Sequence, residues 1–224
     1  LLECGCCGHF LSSHDIDLDN LYEEDYASST YGGEQGILRA YNKVMELPSN
    51  QSDNTLRVDR IIDFATDYFS SLQKLEVLDI GSGLCVFLSK IKMRTDWTCT
   101  AVEPDERYCL HAKQTVGVEV IPKDYRLVNW DRKFNLITLN KVLEHFLDPI
   151  EVLKKCSSDL ASGGLIYIEL PDGESAAEDE IGFEREEFFI DHHHAFSMTS
   201  MELLTKKSGL RSLNLERVRE PSSK

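Results

Sequence analysis

Long apolar runs are missing from this sequence. No apolar segment in its 224 residues approaches the length of about 20 residues that a bilayer-spanning helix needs. The chain also does not open with a basic stretch followed by an apolar one, the pattern of an export signal. We therefore expect neither membrane anchoring nor export.

Basic residues are also in short supply. The chain carries 24 Lys and Arg against 39 Asp and Glu, which gives a formal net charge of -15. A surface that binds nucleic acid or an anionic membrane needs a basic face, and these cations are scattered among more numerous acids. We expect a small-molecule acceptor as partner, with no nucleic acid and no membrane, and the oligomeric state is left open.

The cysteines do not form the pattern of a disulfide framework. There are seven, an odd number, and Cys85, Cys99, Cys109 and Cys156 lie in apolar or helical contexts. Such usage suits a reducing compartment. The expected location is the cytoplasm.

The length and the order of apolar segments predict one main domain with a small appendage. A chain of 224 residues can bury one α/β core but is short for two full domains. A helical pattern begins at Ser52-Asp53, and strands then alternate with helices, an order typical of an α/β fold with a doubly wound, mostly parallel sheet. The predicted domains are an N-terminal arm, residues 1–51, and an α/β domain, residues 52–224.

Three local patterns add expectations at the two ends of the chain. Tyr22, Tyr26 and Tyr31 belong to an acidic segment that either covers the substrate side or packs onto the domain. Thr199-x-x-Glu202 has the spacing of a helix capping box. The residues from Leu210 to Val218 have the pattern of a sixth strand.

The segment from Val77 to Gly83 is the most informative in the chain. It has the pattern of a buried strand that runs into a glycine turn and then a helix. Glycines let backbone N–H groups approach a ligand closely, and the start of a helix favours negative charge. A second predicted strand ends at Glu103, 20 residues after Gly83, and its carboxylate can accept hydrogen bonds from both hydroxyls of a ribose. These features predict a nucleoside-containing cofactor.

The third position of the turn favours one kind of cofactor over another. A dinucleotide site needs a small third residue in the pattern G-x-G-x-x-G, and here that position is Val86. A second mononucleotide-binding half is also missing. A nicotinamide-dependent oxidoreductase is therefore the less favoured alternative.

Three motifs together resemble those of the class I S-adenosylmethionine-dependent methyltransferases. They are the turn from Asp79 to Gly83, the acidic Glu103 with Pro104 and Asp105 behind it, and the run from Asn140 to His145. The resemblance covers roughly residues 53 to 218. Cys85 stands where that family has a third glycine, so the chain departs from the family pattern there.

The resemblance implies a Rossmann-like fold, S-adenosyl-L-methionine as cofactor and a set of binding residues. By this resemblance, the amino-acid part of the cofactor lies next to Asp79, Gly81 and Gly83, and its ribose lies next to Glu103. The adenine lies next to Pro104, Asp105 and Asp124, and the sulfonium end lies next to Asn140 and Val142. The alternative for Asp79 is an ordinary polar residue at the end of a strand.

The histidine cluster supplies the candidate for catalysis. Asp191-His192 followed by Ala195-Phe196-Ser197 resembles a Glu-His segment that precedes Tyr-Phe-Ser in sugar C-methyltransferases, where the pair removes a proton. The resemblance implies His192 as general base with Asp191 as its orienting carboxylate. Neighbouring side chains on an extended segment point to opposite faces, however, so the two need not touch. A metal site that includes Glu144-His145 and a solvated loop without chemistry are the alternatives.

Cys4-x-x-Cys7 near the start has the spacing of half a zinc site. A closed structural zinc site needs four ligands. The segment resembles the second half of the zinc-binding module that precedes some sugar methyltransferases. The resemblance implies zinc on Cys4 and Cys7 in a longer parent chain, and a small turn without metal is the alternative.

The sequence thus predicts an S-adenosylmethionine-dependent methyltransferase that acts on a small acceptor. A nucleotide-linked sugar or a polysaccharide precursor is the favoured acceptor class, by analogy with the sugar methyltransferases. A domain that binds the cofactor without catalysis is the alternative from another functional class.

Overall fold

The structure is a computed structural model that describes residues 1–13, 33–72, 74–219 and 221. The predicted tyrosine-rich arm, with Tyr22, Tyr26 and Tyr31, lies outside the described residues. The chain divides into two compact units. We call them the core unit (Leu21–Thr138, Asp159–Tyr167, Arg219–Lys224) and the loop unit (Leu1–Asn20, Leu139–Ser158, Ile168–Val218).

A five-stranded sheet confirms the predicted α/β class. Its strands are β3 (Glu76–Ile80), β4 (Thr98–Val102), β5 (Glu119–Ile121), β6 (Phe134–Asn140) and β7 (Leu160–Glu169), and their spatial order is β5-β4-β3-β6-β7. The helices are α1 (Glu34–Met45), α2 (Asp53–Tyr68), α3 (Val86–Arg94), α4 (Glu106–His111), α5 (Pro149–Asp159), α6 (Gly173–Ala177) and α7 (Met198–Lys207). Strand β3 pairs in parallel with β4, and β4 pairs in parallel with β5, so the crossovers run through helices as predicted.

The core explains why these segments become strands and helices. In β3 every residue from Val77 to Ile80 is buried, as is expected of a central strand covered on both faces. Val58, Ile61 and Ala65 recur at helical spacing along α2 and are buried in the same cluster as Val77. Burial of this apolar surface is the main source of stability for the core unit.

Two helices of the core unit begin at a polar side chain that caps the first turn. Ser52 precedes α2, and its hydroxyl accepts a hydrogen bond from the backbone N–H of Thr55 at 3.2 Å. Asp105 precedes α4 and accepts from the N–H of Arg107 at 2.8 Å. Each cap satisfies an N–H that the helix itself leaves unpaired.

The loop unit contains a small antiparallel sheet in the order β1-β2-β8. Its strands are β1 (Leu2–Glu3), β2 (Phe10–Leu11) and β8 (His194–Ala195). Phe10 is paired with Ala195, and its ring lies 5.2 Å from that of Phe188 between centroids. The segment from His192 to His194, called the histidine segment below, is thereby held against the hairpin of β1 and β2.

Two predictions for the end of the chain are wrong. The capping box of α7 consists of Ser197 and Ser200, whose hydroxyls each accept from the other's backbone N–H, and Thr199 lies inside the helix. The residues from Leu210 to Val218 form no strand in the described chain, and Leu213 is 44% exposed. Local alternation predicted the strand, but a strand also needs a partner for its backbone groups.

None of the helices within the described residues combines the length and the apolar character needed to cross a membrane.

Candidate functional site

The glycine turn after β3 adopts backbone angles that favour glycine. Gly81 has φ 68° and Gly83 has φ 47°, both in the left-handed region. A Cβ added to Gly83 would meet nothing within 4 Å, so its backbone borders open space. Cys85 also has a positive φ, 57°. The family's third glycine therefore corresponds to a position that requires this conformation, and Cys85 adopts it at a cost in strain.

Glu103 lies directly against the turn. Its two carboxylate oxygens accept hydrogen bonds from the backbone N–H of Gly83 at 2.9 Å and of Asp105 at 3.1 Å. The residue is 7% exposed. Burial raises the pKa of Glu103, and the two N–H donors partly oppose that rise. Each oxygen keeps a second lone pair, which can accept a ribose hydroxyl.

Asp79 is a buried residue that holds two strands together. It is 2% exposed, and its Oδ1 accepts a hydrogen bond from the hydroxyl of Thr138 at 2.6 Å. In the glycine turn that follows β3, the Ser82 hydroxyl is buried and has no hydrogen-bond partner among the described residues. A buried hydroxyl without a partner is costly, so it marks a place where a ligand can contribute a bond.

The residues predicted near the adenine are held by arginines. Asp105 lies 2.8 Å from Arg107 and caps α4. Asp124 accepts from the backbone N–H of Arg126 at 2.7 Å and from its Nε at 2.9 Å. Burial alone would raise the pKa of Asp124, but the hydrogen bonds from Arg126 hold it below its usual range. Pro104 is exposed in the turn between Glu103 and α4.

The core unit therefore fits a nucleoside at the carboxyl ends of β3 and β4. It offers open space beside the Gly83 backbone, a carboxylate with spare lone pairs on Glu103 and an unpartnered hydroxyl on Ser82. The contacts that Asp79, Gly81, Gly83, Glu103, Pro104, Asp105 and Asp124 make with a cofactor stay predictions.

In the loop unit, the residues after β6 include a strained backbone position. Asn140 ends β6, and Val142 precedes a short 3-10 helix. Between them Lys141 has φ 56°, and its N–H donates to the Glu169 carbonyl at 2.8 Å. Strain in a non-glycine residue often marks a functional site, and sequence reasoning had no signal for it. The cofactor contacts of Asn140 and Val142 stay predictions.

The same loop ends in a buried carboxyl group. Glu144 is 1% exposed, and its Oε2 has no hydrogen-bond partner among the described residues. Burial raises the pKa of Glu144 to about 8. Its backbone carbonyl accepts from the N–H of His193 at 2.9 Å, so this loop is fixed to the histidine segment.

The rings of His145 and His192 lie together beside Glu144. Their centroids are 4.7 Å apart and their planes are inclined by 76°. His192 Nδ1 lies 3.1 Å from the Glu187 carbonyl oxygen. His145 Nδ1 lies 2.9 Å from the Asp191 carbonyl oxygen and 3.9 Å from an Asp191 carboxylate oxygen. Burial lowers the pKa of His145, against the opposing effect of Asp191.

The structure thus brings Asp191 to His145, while His192 is oriented by the Glu187 carbonyl. The roles of His192 as base and of Asp191 as its orienting group stay predictions. Sequence reasoning gave Glu144-His145 no firm role, because their burial depends on loops distant in sequence.

The N-terminal cysteines form a tight turn. The N–H groups of Cys7 and Gly8 donate to the Cys4 carbonyl at 3.2 and 2.8 Å. The Ser197 hydroxyl donates to the Cys7 carbonyl, which attaches the turn to the start of α7. Hydrogen bonds from the Cys6 backbone lower the pKa of Cys4. Zinc on Cys4 and Cys7 stays a prediction.

A fold of this topology, with a glycine turn and a ribose-type carboxylate, defines a Rossmann-like nucleoside-binding domain. A family model described as "Methyltransferase domain" matches residues 51–215, and the chain belongs to that family. The resemblance to class I S-adenosylmethionine-dependent methyltransferases is thereby confirmed, and S-adenosylmethionine is the cofactor of this class.

Curated relatives match over part of their length. A "Ubiquinone biosynthesis O-methyltransferase" of Caulobacter sp. (strain K31) is 32% identical over 101 residues, 42% of this chain and 40% of that protein. The enzyme of the same name from Actinobacillus pleuropneumoniae serotype 5b (strain L20) is 30% identical over 129 residues, 51% of each chain. The chain therefore spans about two fifths to half of these relatives.

Among solved structures, the plantazolicin methyltransferase BpumL, in complex with a triazolic desmethylPZN analog and SAH, is similar with a TM-score of 0.56. The two chains are 21% identical, and the match covers 77% of this chain and 69% of that one. This likeness supports the fold.

Proposed function

We propose that this protein transfers a methyl group from S-adenosylmethionine to a small acceptor. The observation that carries the proposal is the contact between Glu103 and the Gly83 backbone, which joins a ribose-binding carboxylate to an open glycine turn. In a methyltransferase-domain protein, this arrangement suits the nucleoside part of the cofactor. S-adenosylmethionine supplies a methyl group on a sulfonium, which an acceptor atom attacks in line.

The protein's part in such a reaction is to position the acceptor and to remove its proton. Glu103 and the Gly81 and Gly83 backbone orient the cofactor. His192 is the proposed general base: its Nδ1 faces the Glu187 carbonyl, which cannot donate, so Nδ1 carries the proton and Nε2 has the lone pair. Asp191, as an additional proposal, stabilises positive charge in the histidine pair through His145.

The proposed acceptor is a nucleotide-linked sugar or a polysaccharide precursor. The Asp191-His192 segment and the N-terminal Cys4-x-x-Cys7 turn support this class by their resemblance to sugar methyltransferases. The names of the curated relatives favour a second class, an aromatic or quinone-type hydroxyl. Either acceptor presents an O–H or an acidic C–H, so both need a base.

Three further proposals concern the location of the protein, its domains and its partners. We propose a cytoplasmic location, division of the chain into an arm of residues 1–51 and a methyltransferase domain of residues 52–224, and no binding of nucleic acid. A domain that binds the cofactor without catalysis is the competing function.

The test is incubation of the protein with S-adenosylmethionine and a panel of nucleotide sugars and phenolic acceptors, with mass spectrometry as the readout. The expected result is an acceptor that gains the mass of one methylene group. Cofactor binding in calorimetry without any methylated product across the panel would favour the non-catalytic alternative.

Once an acceptor is known, the variant His192→Ala tests the base. Turnover should fall by roughly 10²- to 10⁴-fold, the usual contribution of acid–base catalysis, while cofactor affinity is retained. His193→Ala is the matched control, because it changes the neighbouring histidine. A wild-type rate in His192→Ala would remove this residue from the base role.

A further inference from the structure

We propose that Glu144, His145 and His192 form a binding site for one divalent transition-metal cation. One ligand atom from each residue can be chosen so that all three lie within 4.8 Å of one another. The inference concerns the loop unit alone and does not rest on the proposed function.

The two histidines are oriented as metal ligands are. The Nδ1 of His145 lies 2.9 Å from the Asp191 carbonyl oxygen, and the Nδ1 of His192 lies 3.1 Å from the Glu187 carbonyl oxygen. A carbonyl oxygen only accepts, so in the neutral ring each Nδ1 must carry the hydrogen and each Nε2 must carry the lone pair. Metal-bound histidines are usually held by such a hydrogen bond from the other ring nitrogen.

Glu144 supplies the third ligand and the strongest reason to expect a cation. The residue is 1% exposed, and its Oε2 has no hydrogen-bond partner among the described residues. A buried carboxylate is costly unless it is paired or coordinates a metal. Its backbone is also fixed, since the Glu144 carbonyl accepts from the N–H of His193 at 2.9 Å. The site is thus built on two loops that are already joined.

The ligand set indicates which cation binds. Two imidazoles and one carboxylate suit Zn²⁺, Co²⁺, Ni²⁺ or Fe²⁺, whereas Mg²⁺ and Ca²⁺ prefer oxygen ligands. Three protein ligands leave at least one coordination position open. In the cation-bound protein the Nε2 of His192 is a ligand and does not accept a proton. The Nε2 of His192 can therefore act as a base only while no cation is bound to it.

The experiment uses the full chain with Cys4, Cys6 and Cys7 replaced by serine, so that thiolates do not bind the metal. After treatment with a chelator, the protein is titrated with Zn²⁺ and, separately, with Mg²⁺ in a calorimeter, and Co²⁺ is added for its visible absorption spectrum. We expect one Zn²⁺ per chain, much weaker binding of Mg²⁺, and a Co²⁺ spectrum of nitrogen and oxygen ligation without thiolate bands.

Conservative variants then assign the ligands. Glu144→Gln, His145→Gln and His192→Gln should each weaken Zn²⁺ binding by at least about tenfold, the loss that even an outer-sphere partner causes. His193→Gln and Glu151→Gln are matched controls and should bind as the parent does. Circular dichroism of each variant shows whether the fold is retained.

Two outcomes would overturn the inference. One is a parent protein that binds none of these cations, and the other is binding that all three folded ligand variants retain. Neither measurement uses a methyl donor or an acceptor, so failure here leaves the proposed methyl transfer standing, and the reverse also holds.

Discussion

At the scale of single residues, the turn from Gly81 to Cys85 shows how much the local sequence determines. The glycines adopt positive φ, a conformation that glycine reaches without strain, and Glu103 contacts the Gly83 backbone. What the motif does not reveal is the burial of Glu103, which is 7% exposed. Burial makes each hydrogen bond to Glu103 worth more than it would be in water.

The first prediction concerns Glu103. Glu103→Ala removes the carboxylate oxygens that are proposed to accept hydrogen bonds from a ribose diol, and it removes the acceptor of the Gly83 N–H. Since a buried bond to a charged group contributes about 1.5–3 kcal/mol, S-adenosylmethionine affinity should fall by at least roughly tenfold in calorimetry. Glu106→Gln, an exposed change at the start of α4, is the control. If the S-adenosylmethionine affinity of Glu103→Ala is unchanged, the cofactor does not bind at Glu103.

The second prediction concerns His111 and pH. His111 is 8% exposed, its ring lies 4.8 Å from that of Tyr41, and burial lowers its pKa below 6.5, although the ring donates a hydrogen bond to the Leu84 backbone carbonyl, which acts in the opposite direction. Below pH 6.5 the unfolded chain takes up a proton that the folded chain resists, so the free energy of unfolding should decrease as the pH falls from that value toward the folded pKa.

Urea unfolding of the parent and of His111→Phe between pH 7.5 and 5 tests this. The variant should lose less stability over that interval, because its side chain takes up no proton. Parallel pH curves for the two proteins would show that His111 does not contribute.

At the scale of elements, the strands and helices of the core unit could be predicted because their burial is regular. The sequence predicts a buried strand that runs from Val77 into the glycine turn, and the structure has β3 over Glu76–Ile80, directly before Gly81. The cap of α7 could not be predicted as well, because Ser197, Thr199 and Ser200 are all suitable residues. The choice follows from the Ser197 hydroxyl, which also contacts the Cys7 carbonyl, distant in sequence.

The third prediction concerns the start of α2. Ser52 is buried and caps the Thr55 N–H, so Ser52→Ala should lower the free energy of unfolding by about 1 kcal/mol. Ser71→Ala, an exposed change beyond the helix, should be neutral within about 0.5 kcal/mol. Chemical denaturation measures both, and equal stabilities would show that the cap contributes nothing.

At the scale of the whole molecule, charge is the dominant property. A net charge of -15 repels polyanions and disfavours association driven by phosphate contacts. The prediction is that duplex DNA and tRNA do not shift in a gel assay at about 150 mM salt. A specific complex with either would overturn the proposal of a small acceptor.

The sequence by itself determined the class of fold, the position of the glycine turn and the carboxylate that faces it. These depend on periodic burial and on backbone angles, which neighbouring residues dictate. Only the tertiary structure decided that Asp191 lies at His145, that Glu144 is buried beside His192, and that residues 210–218 form no strand. Those outcomes depend on which distant segments meet, and on whether a polar group finds a partner there, which local patterns do not encode.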